Sequence, residues 1–131
     1  MKISTKGRYA LAVLIEIAKN SNDEYISLKK ISEGLGISMK YLEQIVQILV
    51  KNNLLNVSRG KQGGYKLSKD ISNYTIGEVL TVTEKNIEVI KCLSNSNDCK
   101  LDPNCKRYRL FKGLDDVIKN YLNNVKLEEI M

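Results

Sequence analysis

The chain has 131 residues, 43% of them hydrophobic and 27% charged, which is room for one compact domain or one domain with an appended helix. No stretch approaches the roughly 18 consecutive apolar residues that span a bilayer, and the start, Met1-Lys2-Ile3-Ser4-Thr5-Lys6-Gly7-Arg8, carries no secretion signal, so a cytoplasmic protein without a membrane partner is expected. With no histidine the usual general base is missing and no enzyme is expected, whereas 21 Lys and Arg against 15 Asp and Glu give a net +6, which points to an anionic partner.

Across residues 9–19 the apolar positions Ala10, Leu11, Leu14, Ile15 and Ala18 recur at helical spacing, which predicts a first core helix. Residues 20–26 read as a polar turn. Ser27 then offers an N-cap to a short helix carrying Leu28, Ile31 and Leu35, closed by Gly34 and Gly36. Ser38 is a second N-cap, opening a helix that turns Leu42, Ile45, Val46, Leu49 and Val50 inward and Lys40, Glu43, Gln44, Gln47 and Lys51 outward. Two helices about a tight glycine turn form a helix-turn-helix.

Leu55 and Val57, then Tyr65 and Leu67, alternate with polar residues on either side of Arg59-Gly60-Lys61-Gln62-Gly63-Gly64. Two strands around a basic, glycine-rich loop, placed directly after a helix-turn-helix, predict the wing of a winged helix, with glycine allowing close backbone approach to a phosphate and Arg59 and Lys61 bringing charge. Residues 29–66 hold seven basic and two acidic side chains, so +5 of the net +6 lies there. That concentration points to nucleic acid as the partner, which for a helix-turn-helix with a wing is a double-stranded DNA operator.

Thr75-Ile76-Gly77-Glu78 has the pattern of a capping box ahead of a short helix through Ile76, Val79 and Leu80. Residues 83–91 read as a linker, and the polar loop 92–105 holds all three cysteines, Cys92, Cys99 and Cys105. Three thiols in one polar loop suit zinc, cuprous copper or an iron–sulfur core, and zinc or a cluster needs a fourth donor that the absence of histidine leaves open; free thiols are the alternative. Over residues 106–125, Phe111, Leu114, Ile118, Tyr121 and Val125 form a coiled-coil-like seam widened by Leu110, Val117 and Leu122, which predicts a homodimer through this helix. Residues 127–130 add one more helical turn. The expected architecture is mainly α with a small β-hairpin wing: a winged helix-turn-helix over 1–82, a linker and cysteine loop over 83–105, and a dimerisation helix with its final turn over 106–131.

Thr5-Lys6-Gly7-Arg8-Tyr9-Ala10, Ile37-Ser38 with Tyr41-Leu42-Glu43-Gln44, Arg59-Gly60 with Gly63-Gly64-Tyr65, and Thr75-Ile76-Gly77-Glu78-Val79 together resemble the IscR-type iron–sulfur-cluster regulators and their relatives of CymR and NsrR type. The resemblance runs over nearly the whole chain. It implies a homodimeric transcription factor reading a pseudo-palindromic operator, with Ser38, Lys40, Tyr41, Glu43 and Gln44 at or near DNA and Arg59, Gly60 and Lys61 in the wing. It also implies that Cys92, Cys99 and Cys105 hold an iron–sulfur cluster, two-iron two-sulfur in preference to four-iron four-sulfur. The positions that supply a fourth ligand in IscR-type and NsrR-type proteins are Tyr108 and Arg8 here, so that ligand stays unassigned. A zinc-containing or thiol-redox regulator of the same fold, or one governed by docking on a metabolic-enzyme partner, is the alternative.

Overall fold

The first helix, α1 (Thr5–Asn20), begins where Ser4 accepts the Gly7 N–H on its hydroxyl at 3.1 Å. The computed structural model describes residues 2–85, 87–89 and 106–131, and among these it places five α-helices and one two-stranded hairpin. Helix α2 (Leu28–Leu35) is capped by Ser27 and ends at Gly36, whose N–H bonds the Ser32 carbonyl. Gly34, expected at the end of α2, lies inside it, against Glu16 of α1. Helix α3 (Met39–Lys51) is capped by Ser38. Strands β1 (Leu55–Ser58) and β2 (Gly64–Leu67) pair antiparallel from Leu55↔Leu67 to Ser58↔Gly64. A 3-10 turn over Ile71–Asn73 leads to α4 (Ile76–Thr83), and α5 (Lys106–Asn124) is followed by a second 3-10 turn, Leu127–Ile130. This is a winged helix extended by a long C-terminal helix.

The core gathers around α1, which packs on α2, α3, α4 and β2. Its wholly buried residues are Ala10, Val13, Leu14 and Ile17, so the inward face is rotated by about one position from the expected Ala10, Leu11, Leu14, Ile15 and Ala18. Apolar residues cover most of the circumference of α1, and the elements around it decide which row goes deepest. On α3 the inward set is as read, with Leu42, Ile45, Val46 and Leu49 buried and Val50 partly so.

Three other sequence expectations change. Ile26, read as turn, pairs with Tyr65 through hydrogen bonds of 2.9 and 2.8 Å and adds a bridge to the outer edge of the wing. Only half of the capping box forms: the Thr75 hydroxyl accepts the Glu78 N–H at 3.1 Å, while the Glu78 carboxylate takes Lys69 Nζ at 2.7 and 2.8 Å. The seam on α5 divides. Leu122 and Val125 pack on the core and Phe111 and Ile118 are half-buried, whereas Leu110, Leu114, Val117 and Tyr121 are exposed.

Helix α5 is held at its far end. Leu127 is fully buried, its N–H donates to the Tyr74 carbonyl at 2.9 Å, and the Ile76 N–H donates to Val125 O at 3.0 Å. The helices α4 and α5 cross where Gly77 faces Asn123, and a Cβ there would meet the Asn123 backbone nitrogen at 3.1 Å. Glycine at this position is therefore a packing requirement. Gly77→Val is expected to push α5 off α4 and to cost about 1–3 kcal/mol, the usual range for overpacking. Chemical denaturation should show a lower midpoint at an unchanged slope.

Candidate nucleic-acid interface

The inward rows of α3 leave Lys40, Glu43, Gln44, Gln47 and Lys51 exposed together, as residues one turn apart on one helix face must be. The helix is aimed by its first turn. Ser38 spends its hydroxyl on the Tyr41 N–H at 3.3 Å, and the Ser32 hydroxyl donates to the Ile37 carbonyl across the turn between α2 and α3. Tyr41 is half-buried and meets Tyr9 of α1 edge to face, centroids 5.7 Å apart at 85°. Pairs of this geometry contribute about 0.5–1.5 kcal/mol beyond their burial, so Tyr41 also fastens the front of α3 to the core.

The wing stands beside α3. At its tip Gly60 has φ of +116°, outside the range of other residues, and the Gly63 N–H closes the loop on the Gly60 carbonyl at 3.0 Å. Arg59, Gly60, Lys61 and Gln62 are exposed there. Between the wing and the C-terminal half of α3 runs a groove of about 510 Å³, with Leu28, Val50, Val57 and Tyr65 as apolar lining and Lys51 and Arg59 as its charged residues. Burial pushes the Tyr65 phenol above its ordinary range and the nearby Glu43 carboxylate pushes it the same way, so the hydroxyl stays protonated as a donor. Lys30 and Lys61 meet across a second depression, which Asp23 and Glu24 also line.

The cations of α2, α3 and the wing tip are not neutralised by ion pairs among the described residues. Among the described residues the ion pairs are Lys69–Glu78, Lys112–Asp116, and Lys119 with both Asp115 and Glu88. None of Lys29, Lys30, Lys40, Lys51, Arg59 and Lys61 is in one; Lys66 instead lies over the Tyr25 ring at 5.9 Å. Unpaired cations keep their charge available to an external anion.

Ser38, Lys40, Glu43, Gln44, Arg59, Gly60 and Lys61 are each exposed and Tyr41 is half-buried; Arg59 shares the groove with Gln47 and Lys51 of α3, and Lys61 lines the second depression with Lys30. The candidate interface also takes in Gln47, Lys51 and Tyr65. The helical step of four from Glu43 to Gln47 and on to Lys51 carried that signal; the place of Tyr65 depends on the pairing of β1 with β2.

Cys92, Cys99 and Cys105 lie outside the described residues. The residues flanking them in sequence are tied to α5 or belong to it. Asp115 is 1% exposed, accepts the Val89 N–H at 3.2 Å and pairs with Lys119 at 3.0 Å, and Lys119 reaches Glu88 at 3.5 Å. These contacts hold Lys119 above its ordinary value. Tyr108 is half-buried on α5, and Arg8 is exposed with its guanidinium donating to the Thr5 hydroxyl at 3.3 Å. Among the described residues no three His, Cys, Asp or Glu side chains gather as a metal site, and no helix is long and apolar enough to cross a membrane.

Comparison with known proteins agrees with this geometry. The chain is 36% identical over its full 131 residues to the HTH-type transcriptional regulator IscR of Escherichia coli, of which it covers 80%. The structure of CymR, the global cysteine regulator of B. subtilis, is similar at a TM-score of 0.81 and 34% identity, covering 99% of this chain and 95% of that one. IscR of T. potens is similar at a TM-score of 0.76 and 28% identity, covering 99% and 85%. Residues 3–131 match the family described as Rrf2, iron-dependent transcriptional regulator. The chain therefore belongs to the Rrf2 family and is a transcriptional regulator, not an enzyme.

Proposed function

We propose that the protein is a cytoplasmic, homodimeric, sequence-specific DNA-binding regulator whose operator affinity is controlled by an iron–sulfur cluster on Cys92, Cys99 and Cys105. The observation that carries the DNA reading is the set of cations on α2, α3 and the wing that no described acid pairs. Helix α3 presents Lys40, Glu43 and Gln44 to base edges and phosphates of the major groove, and Ser38 and Tyr41 stand at its entry. Arg59, Gly60 and Lys61 bring the wing to the adjoining backbone and minor groove.

The dimer reading rests on α5. Leu110, Leu114, Val117 and Tyr121 are 66%, 45%, 65% and 68% exposed, spaced so that they form one stripe beside the face of the helix that is held by the core. A second copy of the same stripe covers it, with each protomer reading one half of a pseudo-palindromic operator.

The donor set fits an iron–sulfur cluster: three soft thiolates in a polar segment, with one corner left to another donor. When bound, such a cluster supplies a redox centre whose potential depends on its burial and hydrogen bonding. What the chain itself contributes is attachment. Asp115 fastens Val89 to α5, and α5 begins at Lys106, immediately after Cys105, so a change in the intervening segment acts on α5 from both sides. A ligand that favours one arrangement of that segment shifts the population of the whole dimer. A thiol-redox or zinc-containing regulator, or one controlled by docking on a metabolic enzyme, is the second reading, and the likeness to CymR, a cysteine regulator, favours the thiol form.

Lys61→Ala is expected to weaken binding to all duplexes and to reduce the salt dependence by about one unit per chain, whereas Gln44→Ala should cost about 1–3 kcal/mol at the preferred sequence and little elsewhere. Sequences selected from a random duplex pool, titrated across salt, measure both. Leu114→Asp with Tyr121→Asp should halve the mass in light scattering, because unpaired charge buried in the stripe costs several kcal/mol. Anaerobically purified protein should be brown and contain iron and sulfide, and replacing all three cysteines with Ala should remove the colour, leave melting within a few degrees of the apo protein and change operator affinity relative to the holo form. Colourless protein with stoichiometric zinc that unfolds without its cysteines rejects the cluster.

A further inference from the structure

Tyr74 lies between the first 3-10 turn and α4 and is the bulkiest wholly buried side chain among the described residues. A phenol there is costly unless its hydroxyl is satisfied. It is satisfied by the wing. The Tyr74 hydroxyl donates to the Leu54 carbonyl at 2.7 Å and accepts the Ser68 N–H at 3.0 Å. The Ser68 hydroxyl donates to the Asn53 carbonyl at 2.7 Å and stands 3.2 Å from the Tyr74 hydroxyl. Asn53 and Leu54 lead into β1 and Ser68 follows β2, so these two hydroxyls close the open end of the hairpin. The backbone carbonyl of the same tyrosine accepts the Leu127 N–H, so one residue holds the root of the wing with its side chain and the end of α5 with its main chain.

A hairpin of four residue pairs has little rigidity of its own. This one is fastened along its edge by the Ile26–Tyr65 bridge and at its root by Tyr74. We propose that Tyr74 is a positioning residue for DNA binding: without touching DNA, it sets the angle of the wing to α3, so that Arg59 and Lys61 reach the duplex while α3 occupies its groove. The inference rests on the reading of the wing as a DNA contact given above. Phenylalanine fills the same volume, so Tyr74→Phe keeps the ring in the core and removes only the ties to Leu54 and Ser68.

The experiment compares Tyr74→Phe, Ser68→Ala, Lys61→Ala and the double variant Tyr74→Phe with Lys61→Ala in the full chain. The probe is a mixed-sequence duplex about three helical turns long, titrated across a salt series beside circular dichroism and melting curves. Lys61→Ala should flatten the salt slope by about one unit per chain, and Tyr74→Phe should weaken binding several-fold with a similar loss of slope. The double variant should lose no more slope than either single one, because both remove the same contact. Ser68→Ala should act in the same direction to a smaller extent, and it carries the test if Tyr74→Phe fails to fold. A lower melting point with wild-type affinity and slope in Tyr74→Phe and Ser68→Ala, while Lys61→Ala loses its slope, makes Tyr74 a core residue alone and overturns the inference. An unchanged slope in Lys61→Ala overturns the wing reading itself, and the inference with it.

Discussion

Burial of one row of α1 holds the DNA-facing side in place from behind. Val13, Leu14 and Ile17 are completely removed from water, each contributing about 1.5–3 kcal/mol, and they do so against α2, α3, α4 and β2 together. A single helix thus supports α3 and β2 of the wing from behind. Tyr9 extends the same support outward by meeting Tyr41 at the first turn of α3. Ser4 and Glu84 extend it the other way, since the Glu84 carboxylate accepts both the N–H and the hydroxyl of Ser4, at 3.0 and 2.8 Å, and ties the start of α1 to the end of α4.

Around this apolar frame a few of the described charges pair and most stand alone. Acids and bases near α4 and α5 pair with each other, as in Lys69–Glu78 and the group of Asp115, Lys119 and Glu88. The cations of α2, α3 and the wing tip, Lys29, Lys30, Lys40, Lys51, Arg59 and Lys61, are exposed and stand apart from those pairs. Exposed cations in high dielectric lose little by standing alone, so leaving them unpaired costs the fold almost nothing while concentrating positive potential where a polyanion can use it. Lys69 shows the contrast: it is bound to Glu78 and lies 4.8 Å from the centre of the Tyr74 ring, which makes it part of the frame.

Helix α5 has two sides with different functions. Leu122, Val125 and the turn around Leu127 bind it to the winged helix, and the close crossing at Gly77 keeps it there. The stripe from Leu110 to Tyr121 faces away. Asp115 attaches Val89, before the cysteine segment, to this helix, and the start of α5 at Lys106 lies directly after that segment.

Local sequence was sufficient wherever one residue type makes one local bond. Ser27 and Ser38 cap α2 and α3 as their spacing requires, the inward row of α3 could be counted directly, and the basic loop between two alternating runs forms the wing. The crowding of charge into residues 29–66 likewise needed no coordinates to point to a nucleic-acid partner. Tertiary structure decided matters in which distant groups compete. The apolar run of α1 over residues 9–15 is consistent with several inward faces, and its neighbours select one. Glu78 forgoes the second half of its capping box because Lys69 offers a charged partner. Ile26 becomes a bridge residue only because Tyr65 arrives beside it, and the apolar stripe of α5 divides because the core claims Leu122 and Val125 and leaves Leu110, Val117 and Tyr121 outside. Tyr74 is the clearest case: nothing around it in sequence marks it, since its hydroxyl partners lie 20 and 6 residues away and meet only when the hairpin folds back over the core.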